Sequence, residues 1–518
     1  MLYVGLHGQT KLYEGTVIDA EYFTPVAYAA VYIQNTRYGT VANNVGEFSF
    51  AAPDSLTNIQ LVIARGGFNI QYLPLVGDTL PYLRIALQPD NFEAKSKSLQ
   101  DSLIREAGGF AAFLSKAVNF VTGDWMPLGN PETNRFDVGR IQTLVTYNRI
   151  EGPRLRAGLA SNSRLSPRFF VKGYAAYGLK DQRLKYRGEA IYSFTEKAYH
   201  EEEFPKNNVR LIYENDLYSP GEMHPRSPNN QLFITYMRSN NEATYRNFSE
   251  INHEREYKNG LATTFWTRRS RFIPQGTLQF DRQVGNMLFR DEELRTTDVG
   301  VMLRYSAREA YDQRKRKRIP LEVTSPVFFL SHTMGIKDFL GGEVPYHRTE
   351  FSAQKRFLLG SSGRLDVIGE AMKVWSEVPF PLLVYSNQRY RHHIESNAFF
   401  LTRSLEFVAD EQVTFRMTFV GDELLLAKVR LLDRLGFREL VTLRGAYGRL
   451  SDKNRPGIST GTYLFPPVSR AYENVPYVEG AIGITNILGL LRVEYVHRFT
   501  YRDHPDALLG TFRVDITL

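Results

Sequence analysis

The residues best suited to chemistry lie in the tetrapeptide His392-His393-Ile394-Glu395, which is followed by Ser396. A histidine and a glutamate three positions apart could ligate zinc, and a serine near a histidine could form a nucleophile–base pair. On a β-strand, however, residues three apart point to opposite faces. We therefore expect no metal site here, and a hydrolase that uses His392, His393 or Ser396 at the rim of a β-barrel remains the alternative hypothesis.

The rest of the sequence offers little to catalysis. It contains no HExxH, Walker A, GxSxG or dinucleotide-binding motif. It also contains no cysteine, which excludes thiol nucleophiles, zinc ribbons, iron–sulfur sites and disulfides and suits an oxidising compartment. We expect a protein without catalytic residues, without a cofactor and without a bound metal.

Positive charge is spread along the chain. There are 64 Lys and Arg against 56 Asp and Glu, a net charge of +8, and no single domain holds the excess, so nucleic acid is not an expected partner. The densest run is Arg314-Lys315-Arg316-Lys317-Arg318, between the strand-like segments Leu303–Ala307 and Pro326–Leu330. This run is expected to be a solvated loop, or a contact for lipid A phosphates if the parity of the strands places it outside.

The elements that would position these residues are strands. No run of about 18 apolar residues occurs, so no helix is expected to cross a bilayer. From about Arg140 to Leu518, apolar and polar residues alternate in segments of about ten, which predicts strands with one apolar and one charged face. The clearest alternations set Phe512, Val514, Ile516 and Leu518 against Thr511, Arg513, Asp515 and Thr517; Leu491, Val493, Tyr495 and Phe499 against Arg492, Glu494 and Arg498; and Val441, Leu443 and Tyr447 against Thr442 and Arg444.

Such strands fit either a sandwich in water or a membrane barrel with lipid outside and a polar lumen. The length of this region, enough for about 14 to 16 strands, favours the barrel. So does an aromatic content of 13%, with rings near segment ends that suit interfacial girdles: Tyr174, Tyr177, Tyr186, Tyr192, Phe194, Tyr213 and Tyr218. The connections at Leu179-Lys180-Asp181, Pro220–Asn230 and Ser451–Asn474 are interpreted as one short periplasmic turn and two long outer loops.

The first ninety residues have a different pattern, with short β-rich runs about ten residues apart that predict a sandwich. The runs are Tyr13–Asp19, Val26–Ile33, Gly39–Ala42, Gly46–Phe50, Ile59–Ala64, Phe68–Leu73 and Tyr82–Leu87. The order Gly15-Thr16-Val17-Ile18-Asp19, Pro25-Val26, Ala30-Val31, Gly39-Thr40 and Asn44-x-Gly46-x-Phe48 resembles the carboxypeptidase regulatory-like domain. The resemblance implies a transthyretin-like sandwich of seven strands over residues 11–91 that docks partners rather than catalyses.

Two segments flank this sandwich. Residues 1–10 are interpreted as the remnant of a signal peptide whose start lies upstream. Residues 92–137 are expected to be a linker with short amphipathic helices, because apolar residues recur at helical spacing between Phe92 and Val121. The barrel is then expected over residues 138–518.

The barrel region carries a second resemblance. It rests on Val145–Leu155, Gly173–Asp181, Lys185-Tyr186, Asn387, Glu406-Phe407-Val408, Asp410, Leu431-Leu432, Leu435, Phe437-Arg438-Glu439, Tyr447-Gly448, Pro476–Glu479, Gly483–Ile487 and Leu491-Arg492-Val493. These stretches are similar to an outer-membrane family of Bacteroidota-type bacteria that joins a carboxypeptidase regulatory-like domain to a barrel of unassigned role. More distantly, the region resembles the sixteen-stranded insertase superfamily that includes BamA.

We therefore predict an all-β chain: a seven-stranded sandwich followed by a transmembrane antiparallel barrel of about 16 strands. An even number of strands would leave both barrel ends, and the sandwich, in the periplasm. The predicted role is non-enzymatic, in envelope biogenesis, transport or surface attachment. The predicted partners are outer-membrane lipid and lipopolysaccharide, and other envelope proteins through the sandwich; a soluble all-β adhesion or carbohydrate-binding protein is a further alternative.

Overall fold

A computed structural model describes most of residues 10–88, 125–218, 241–386 and 399–516. The gaps inside these ranges are 21–24, 27–28, 35, 37, 44–45, 55, 57–58, 66–67, 76–81, 131–132, 140–142, 308–310, 314–317, 321–323, 360–361, 404, 422–423, 430–431, 433–436, 459–461, 488–490 and 505–506. The predicted remnant before Thr10, the predicted helices of 92–121 and the tetrapeptide at 392–395 with Ser396 lie outside the described residues.

The chain divides into two compact units, Met1–Val118 and Asn119–Leu518. In both units the described residues form strands, connections and a few short helical turns, so the prediction of an all-β chain is confirmed. No helix among these residues has the length and apolar character needed to span a bilayer.

The first unit contains two sheets in its described residues. Its strands are β1 (Thr10–Asp19), β2 (Ala30–Ile33), β3 (Gly39–Val41), β4 (Glu47–Pro53), β5 (Ile59–Ala64), β6 (Gln71–Leu75) and β7 (Leu83–Leu87). One sheet has the order β4-β1-β7 and the other has the order β3-β2-β5-β6. Buried apolar residues of both sheets, such as Tyr13, Val31, Leu61 and Ile85, form one core.

Local backbone chemistry makes β2 and β6 begin later than predicted. β2 begins at Ala30 rather than Val26, because Pro25 bridges to Ile18 and the Val26 N–H bonds to the Val17 carbonyl of β1 instead. β6 begins at Gln71, since the Phe68 N–H closes a turn onto the Arg65 carbonyl. Gly46 has a φ of +75°, and a Cβ there would lie 2.5 Å from the Val17 carbonyl oxygen, so this turn before β4 requires glycine.

The second unit is dominated by one sheet of 18 strands. The strands of this unit are β8 (Trp125–Pro127), β9 (Phe136–Gly139), β10 (Val145–Asn148), β11 (Gly152–Ser161), β12 (Phe169–Gly178), β13 (Leu184–Ser193), β14 (Asn207–Tyr218), β15 (Glu242–Glu256), β16 (Leu261–Gly276), β17 (Phe280–Val284), β18 (Met287–Asp291), β19 (Leu294–Tyr305), β20 (Tyr311–Gln313), β21 (Arg318–Pro320), β22 (Val327–Gly335), β23 (Tyr346–Leu358), β24 (Gly363–Val374), β25 (Val384–Tyr385), β26 (Phe407–Ala409), β27 (Glu411–Gly421), β28 (Arg438–Arg449), β29 (Arg470–Ala471), β30 (Tyr477–Ile487), β31 (Leu491–Arg498) and β32 (Gly510–Ile516).

The strand order of the large sheet is β10-β11-β12-β13-β14-β15-β16-β19-β22-β23-β24-β27-β28-β30-β31-β32-β8-β9, and β9 also pairs with β11. β9 and β10 share β11 as a neighbour, because Val138 lies opposite Leu159 while Val145 lies opposite Leu155. The sheet has 18 strands rather than about 16, since β9 and β10 together occupy one position and β8 is a short addition. β8 and β9 fall largely within residues 92–137, where the sequence predicts the linker.

Antiparallel pairing from β11 to β32 assigns each connection to one end of the sheet. We call the end where β9 begins and β32 finishes the entry end, and the opposite end the distal end. The turn after β12, the connection after β14 and the connection after β28 all lie at the distal end. The assignment of Leu179–Asp181 to the side opposite the long loops is therefore wrong, because an even number of strand crossings separates these three connections.

The same count places the connection from β19 to β22, which contains the basic run 314–318, at the entry end. Of this run, the structure describes Arg318, the first residue of β21. Arg318 therefore shares its end of the sheet with the start of β9 and the finish of β32, and not with the long connections that follow β14 and β28.

Candidate functional site

The two faces of the large sheet have inverted polarity. On β28, Val441 is 48% exposed and Leu443 is 39% exposed, whereas Thr442 and Arg444 are each 1% exposed. On β32, Phe512 is 72% exposed and the adjacent Arg513 is 5% exposed. The alternation predicted from the sequence is thus confirmed, with the apolar face turned outwards and the charged face buried.

The pattern holds around the sheet. Exposed apolar residues of the outer face include Leu155, Leu159, Tyr177, Tyr192, Leu211, Tyr213, Ile251, Phe265, Leu303, Leu330, Phe351, Val413, Met417 and Tyr495. Buried charged residues of the inner face include Arg154, Lys185, Glu189, Glu214, Asp216, Arg246, Arg268, Asp298, Arg348, Glu350, Glu370, Glu479, Glu494 and Arg498. An apolar surface of this extent is too large for an ordinary protein surface in water, and it marks a place where another apolar phase belongs.

Two of the predicted girdle tyrosines belong to the inner face instead. The Tyr174 hydroxyl donates to Asp216 over 2.6 Å, and the Tyr218 hydroxyl donates to Glu214. Strand alternation explains this, because Tyr174 and Tyr177 are three apart on β12 and so point to opposite faces. Tyr177, Tyr192, Phe194 and Tyr213 are exposed, and Tyr186 packs against the Tyr213 ring at 5.8 Å.

Buried charges of the inner face are paired with one another, as burial requires. Near the distal end, the Lys185 ammonium lies 3.0 Å from Glu151 and 2.5 Å from Asp181. Arg154 of β11 donates to Asp216 of β14 over 2.9 Å, across the two strands between them. Asp181 is four residues from Lys185, but Arg154 and Asp216 are 62 residues apart, so the sequence gives no means of matching that pair.

A segment between β24 and β27 lies against this inner face. The backbone N–H groups of Phe400 and Leu401 donate to the buried Glu479 carboxylate of β30 over 3.0 and 3.1 Å. The Phe400 ring is covered by two guanidinium groups, with Arg444 at 4.8 Å and Arg513 at 4.1 Å from the ring centre. We call residues 399–409 the inserted segment, since its described residues are buried against β28, β30, β31 and β32.

Glu406 anchors the other end of the inserted segment. Its carboxylate accepts from Arg498 over 2.6 Å and from the Arg403 N–H over 2.8 Å, and His504 lies 2.9 Å away. Burial alone would raise the pKa of Glu406, but the hydrogen bonds from these three groups, together with the Arg498 charge, bring that pKa below the usual glutamate value. Arg498 also donates to the Leu401 carbonyl over 3.3 Å, so one arginine holds both ends of the segment.

The distal connections cover the inserted segment. β26 pairs with β25 and with β29, which joins the connections after β24 and after β28 into a three-stranded sheet. Asp410 ties the same two connections together, because it accepts from the Ser451 N–H over 3.1 Å and from the Asn454 amide over 2.8 Å. Apolar residues of these connections, including Phe380, Leu382 and Tyr463, form a buried core at the distal end together with Phe280 of β17, which lies in the connection between β16 and β19.

Several residues of this site also carry the sequence resemblance: Glu406, Phe407, Val408, Asp410 and Glu479. The resemblance does not predict that they lie close together in the fold. Sequence reasoning missed that Phe400, Arg444 and Arg513 belong to the same site, and the signal available for the two arginines was their alternation with apolar neighbours. Within the described ranges, no group of three or more histidine and acidic side chains is placed to hold a metal ion. The site therefore binds a piece of its own chain.

Comparisons with known proteins find one matching family model and several similar solved structures. Residues 122–371, just under half of the chain, match the model of a family described as "Family of unknown function (DUF5686) C-terminal domain". Among curated proteins none matches the sequence.

Three solved structures are similar to the chain. BamA from Haemophilus ducreyi lacking POTRA domains 1–3 is 11% identical, with a TM-score of 0.43 over 79% of this chain and 78% of that one. CdiB from Acinetobacter baumannii is 9% identical, with a TM-score of 0.37 over 72% and 58%. OccK11 (OpdR) from Pseudomonas aeruginosa is 9% identical, with a TM-score of 0.27 over 72% and 90%. At these identities no activity transfers to this chain.

Proposed function

We propose that the second unit is a β-barrel that spans the outer membrane and works without catalysis. The observation that carries the proposal is the inverted polarity of the large sheet, with apolar side chains exposed and charged pairs buried. Lipid hydrocarbon can contact the apolar outer face without a free-energy penalty, whereas in water all of these exposed apolar side chains would have to be hydrated. A polar lumen accommodates the paired charges of the inner face.

The strand order supports closure of this sheet into the barrel. β32 is followed by β8 and β9 at the end of the strand order, and β9 also pairs with β11, the second strand of that order. Closure removes the unpaired edges that hydrocarbon would not tolerate. In this arrangement β9 and β10 form one interrupted strand of the wall.

The proposed orientation places the entry end in the periplasm, with the sandwich on that side and the long distal connections outside. Arg318, the described residue of the basic run, is then periplasmic, which argues against lipid A phosphates as its partner. The sandwich would act as a docking module for other envelope proteins, for instance by strand addition at an exposed edge.

The inserted segment narrows the proposed role. A lumen that holds Phe400 between Arg444 and Arg513 is plugged on its β28–β32 side and covered distally. We therefore favour a barrel whose lumen opens only when this segment moves, working in envelope biogenesis, transport or attachment, over an open diffusion pore.

Electrophoretic heat-modifiability of the membrane fraction tests the proposal. A closed barrel resists dodecyl sulfate until it is boiled, so the unboiled protein should migrate faster than the boiled protein, and carbonate should leave it in the membrane pellet. A chain that carbonate releases, and whose mobility is the same with and without boiling, would show that the outer face is covered by protein instead of lipid.

A further inference from the structure

A groove of about 510 Å³ crosses the outer face of β14, β15, β16, β19 and β22. Its walls are apolar side chains of the exposed face, among them Ile251, Phe265, Val299, Val301 and Met334. Trp266 and Gly300 also line it, although strand alternation turns the indole to the inner face, where a Cβ on Gly300 would lie 2.1 Å from the ring. The indole N–H points to the inner-face residue Asp298 over 3.3 Å, which fixes the ring behind the groove.

The register of the sheet gives the groove a direction. Val209, His253, Phe265, Val301 and His332 lie opposite one another on successive strands, so they form one row across the wall. Val209 is the third residue of β14 counted from the entry end, whereas His332 is four residues from the distal end of β22. The row therefore climbs towards the distal end, as expected from strands tilted relative to the barrel axis.

The row continues into a polar cluster at the distal end. Thr349 lies opposite His332, and Lys373 lies opposite Thr349. The imidazoles of His332 and His347 are 3.4 Å apart at Nε2 and Nδ1, and His332 Nδ1 is 2.9 Å from the Thr349 hydroxyl. Trp375 donates to the same hydroxyl over 2.9 Å.

Three cations also belong to this cluster. The Lys373 ammonium lies 4.5 Å from the centre of the Trp375 ring and 2.8 Å from Glu411, which Arg449 approaches at 4.0 Å. Lys453 donates to the Trp375 carbonyl over 2.7 Å. Lys373, Arg449 and Lys453 thus lie close to Glu411 and Trp375, next to the two histidines.

We propose that the groove and this cluster bind one phosphate-bearing membrane lipid, with an acyl chain in the groove and the phosphate at His332, His347 and Lys373. The inference rests on the proposed function, because the occupant is a lipid of the leaflet at the distal end. The groove is an elongated apolar surface that an acyl chain can occupy. The cluster supplies hydrogen-bond donors and positive charge at the position where the headgroup of that lipid would lie.

Quenching of tryptophan fluorescence by brominated lipid tests the site directly. The protein has three tryptophans, at 125, 266 and 375, and Trp125→Phe removes the one outside the proposed site, so that Trp266 at the groove and Trp375 in the cluster remain as fluorophores. The full chain is reconstituted in phosphatidylcholine vesicles that contain an equal small fraction of dibrominated phosphatidic acid or dibrominated diacylglycerol. Phosphatidic acid should quench about fivefold more per mole than the diacylglycerol, because only the former has a phosphate for the cluster.

Two variants locate the binding. In the same background, His332→Ala with His347→Ala should remove the preference for phosphatidic acid, and Val299→Phe should reduce quenching by both brominated lipids. His497→Ala is the matched control, because His497 is a partly exposed histidine of the β31 outer face and does not line the groove. It should keep the preference of the parent.

Several results would overturn the proposal. Equal quenching by both lipids, or an unchanged preference in the double histidine variant, would leave no headgroup site. If added inorganic phosphate abolished the preference for phosphatidic acid while Val299→Phe did not change the quenching, the cluster would bind phosphate but the groove would not bind an acyl chain. A heat-modifiable barrel with none of the expected preferences contradicts only the lipid site, whereas a chain that shows no heat-modifiability contradicts the proposed function itself.

Discussion

At the scale of single residues, the buried ion pair of Glu406 with Arg498 is expected to stabilise the folded protein. Removing one member of a buried ion pair costs about 3 kcal/mol, because its partner stays buried without compensation. Glu406→Gln leaves the guanidinium of Arg498, a fully buried side chain, without its carboxylate. We expect the temperature at which the compact gel form unfolds to fall clearly.

The Arg168–Glu196 pair supplies the control, since it has a similar distance of 3.1 Å but lies in solvent. Exposed pairs contribute roughly 0–1 kcal/mol, so Glu196→Gln should leave the unfolding temperature nearly unchanged. Equal effects of the two substitutions would show that Glu406 does not hold the inserted segment.

Glu406 also predicts the response to acid. The pKa of Glu406 in the folded protein lies below the unfolded value of about 4.3. Its contribution to the free energy of unfolding is therefore complete above the unfolded pKa and is lost as the pH falls through the folded pKa. The difference in unfolding temperature between the parent and Glu406→Gln should therefore shrink in acid. A difference that is constant from pH 7 to below the folded pKa would contradict this assignment.

At the scale of elements, the inserted segment is the part of the structure that decides whether the lumen is open. Phe400→Ala removes the ring that Arg444 and Arg513 cover, and truncation of a buried phenylalanine costs about 3–5 kcal/mol. We expect the segment to leave the inner face more often, so that conductance in planar bilayers rises above that of the parent.

Phe499→Ala is the matched substitution, because Phe499 directly follows β31 and its side chain is 54% exposed. It should leave the conductance of the parent unchanged. If Phe400→Ala conducts no more than Phe499→Ala, the inserted segment does not gate the lumen.

At the scale of the whole molecule, the surroundings of the outer face decide what a new charge costs. Leu443 lies in the middle of β28, and arginine at the bilayer midplane costs roughly 2–4 kcal/mol. Leu443→Arg should therefore lower the yield of heat-modifiable protein in vesicles.

Ile458 provides the contrast within the same molecule. It is more exposed than Leu443 but lies in the distal connection after β28, which the proposal places in water. Ile458→Arg should preserve the yield of the parent, and similar losses from both substitutions would contradict a lipid-facing belt.

The sequence by itself determined the strands and their faces. Alternation of apolar and charged residues acts over two positions, so Val441, Arg444, Phe512 and Arg513 could be assigned to their faces before any fold was known. Pattern also predicted a sandwich for the first ninety residues, although Pro25 and the turn at Phe68 moved two of its strand boundaries.

Only the tertiary structure decided which distant residues meet. Glu406 and Arg498 are 92 positions apart, and Phe400, between β24 and β27, lies against Arg513 of β32. The tertiary structure also decided the end of the sheet at which Leu179–Asp181 lies and the face to which Tyr174 points. Both depend on the number of strands and on the register of the whole sheet, whereas the alternation visible in the sequence relates only neighbouring residues of one strand.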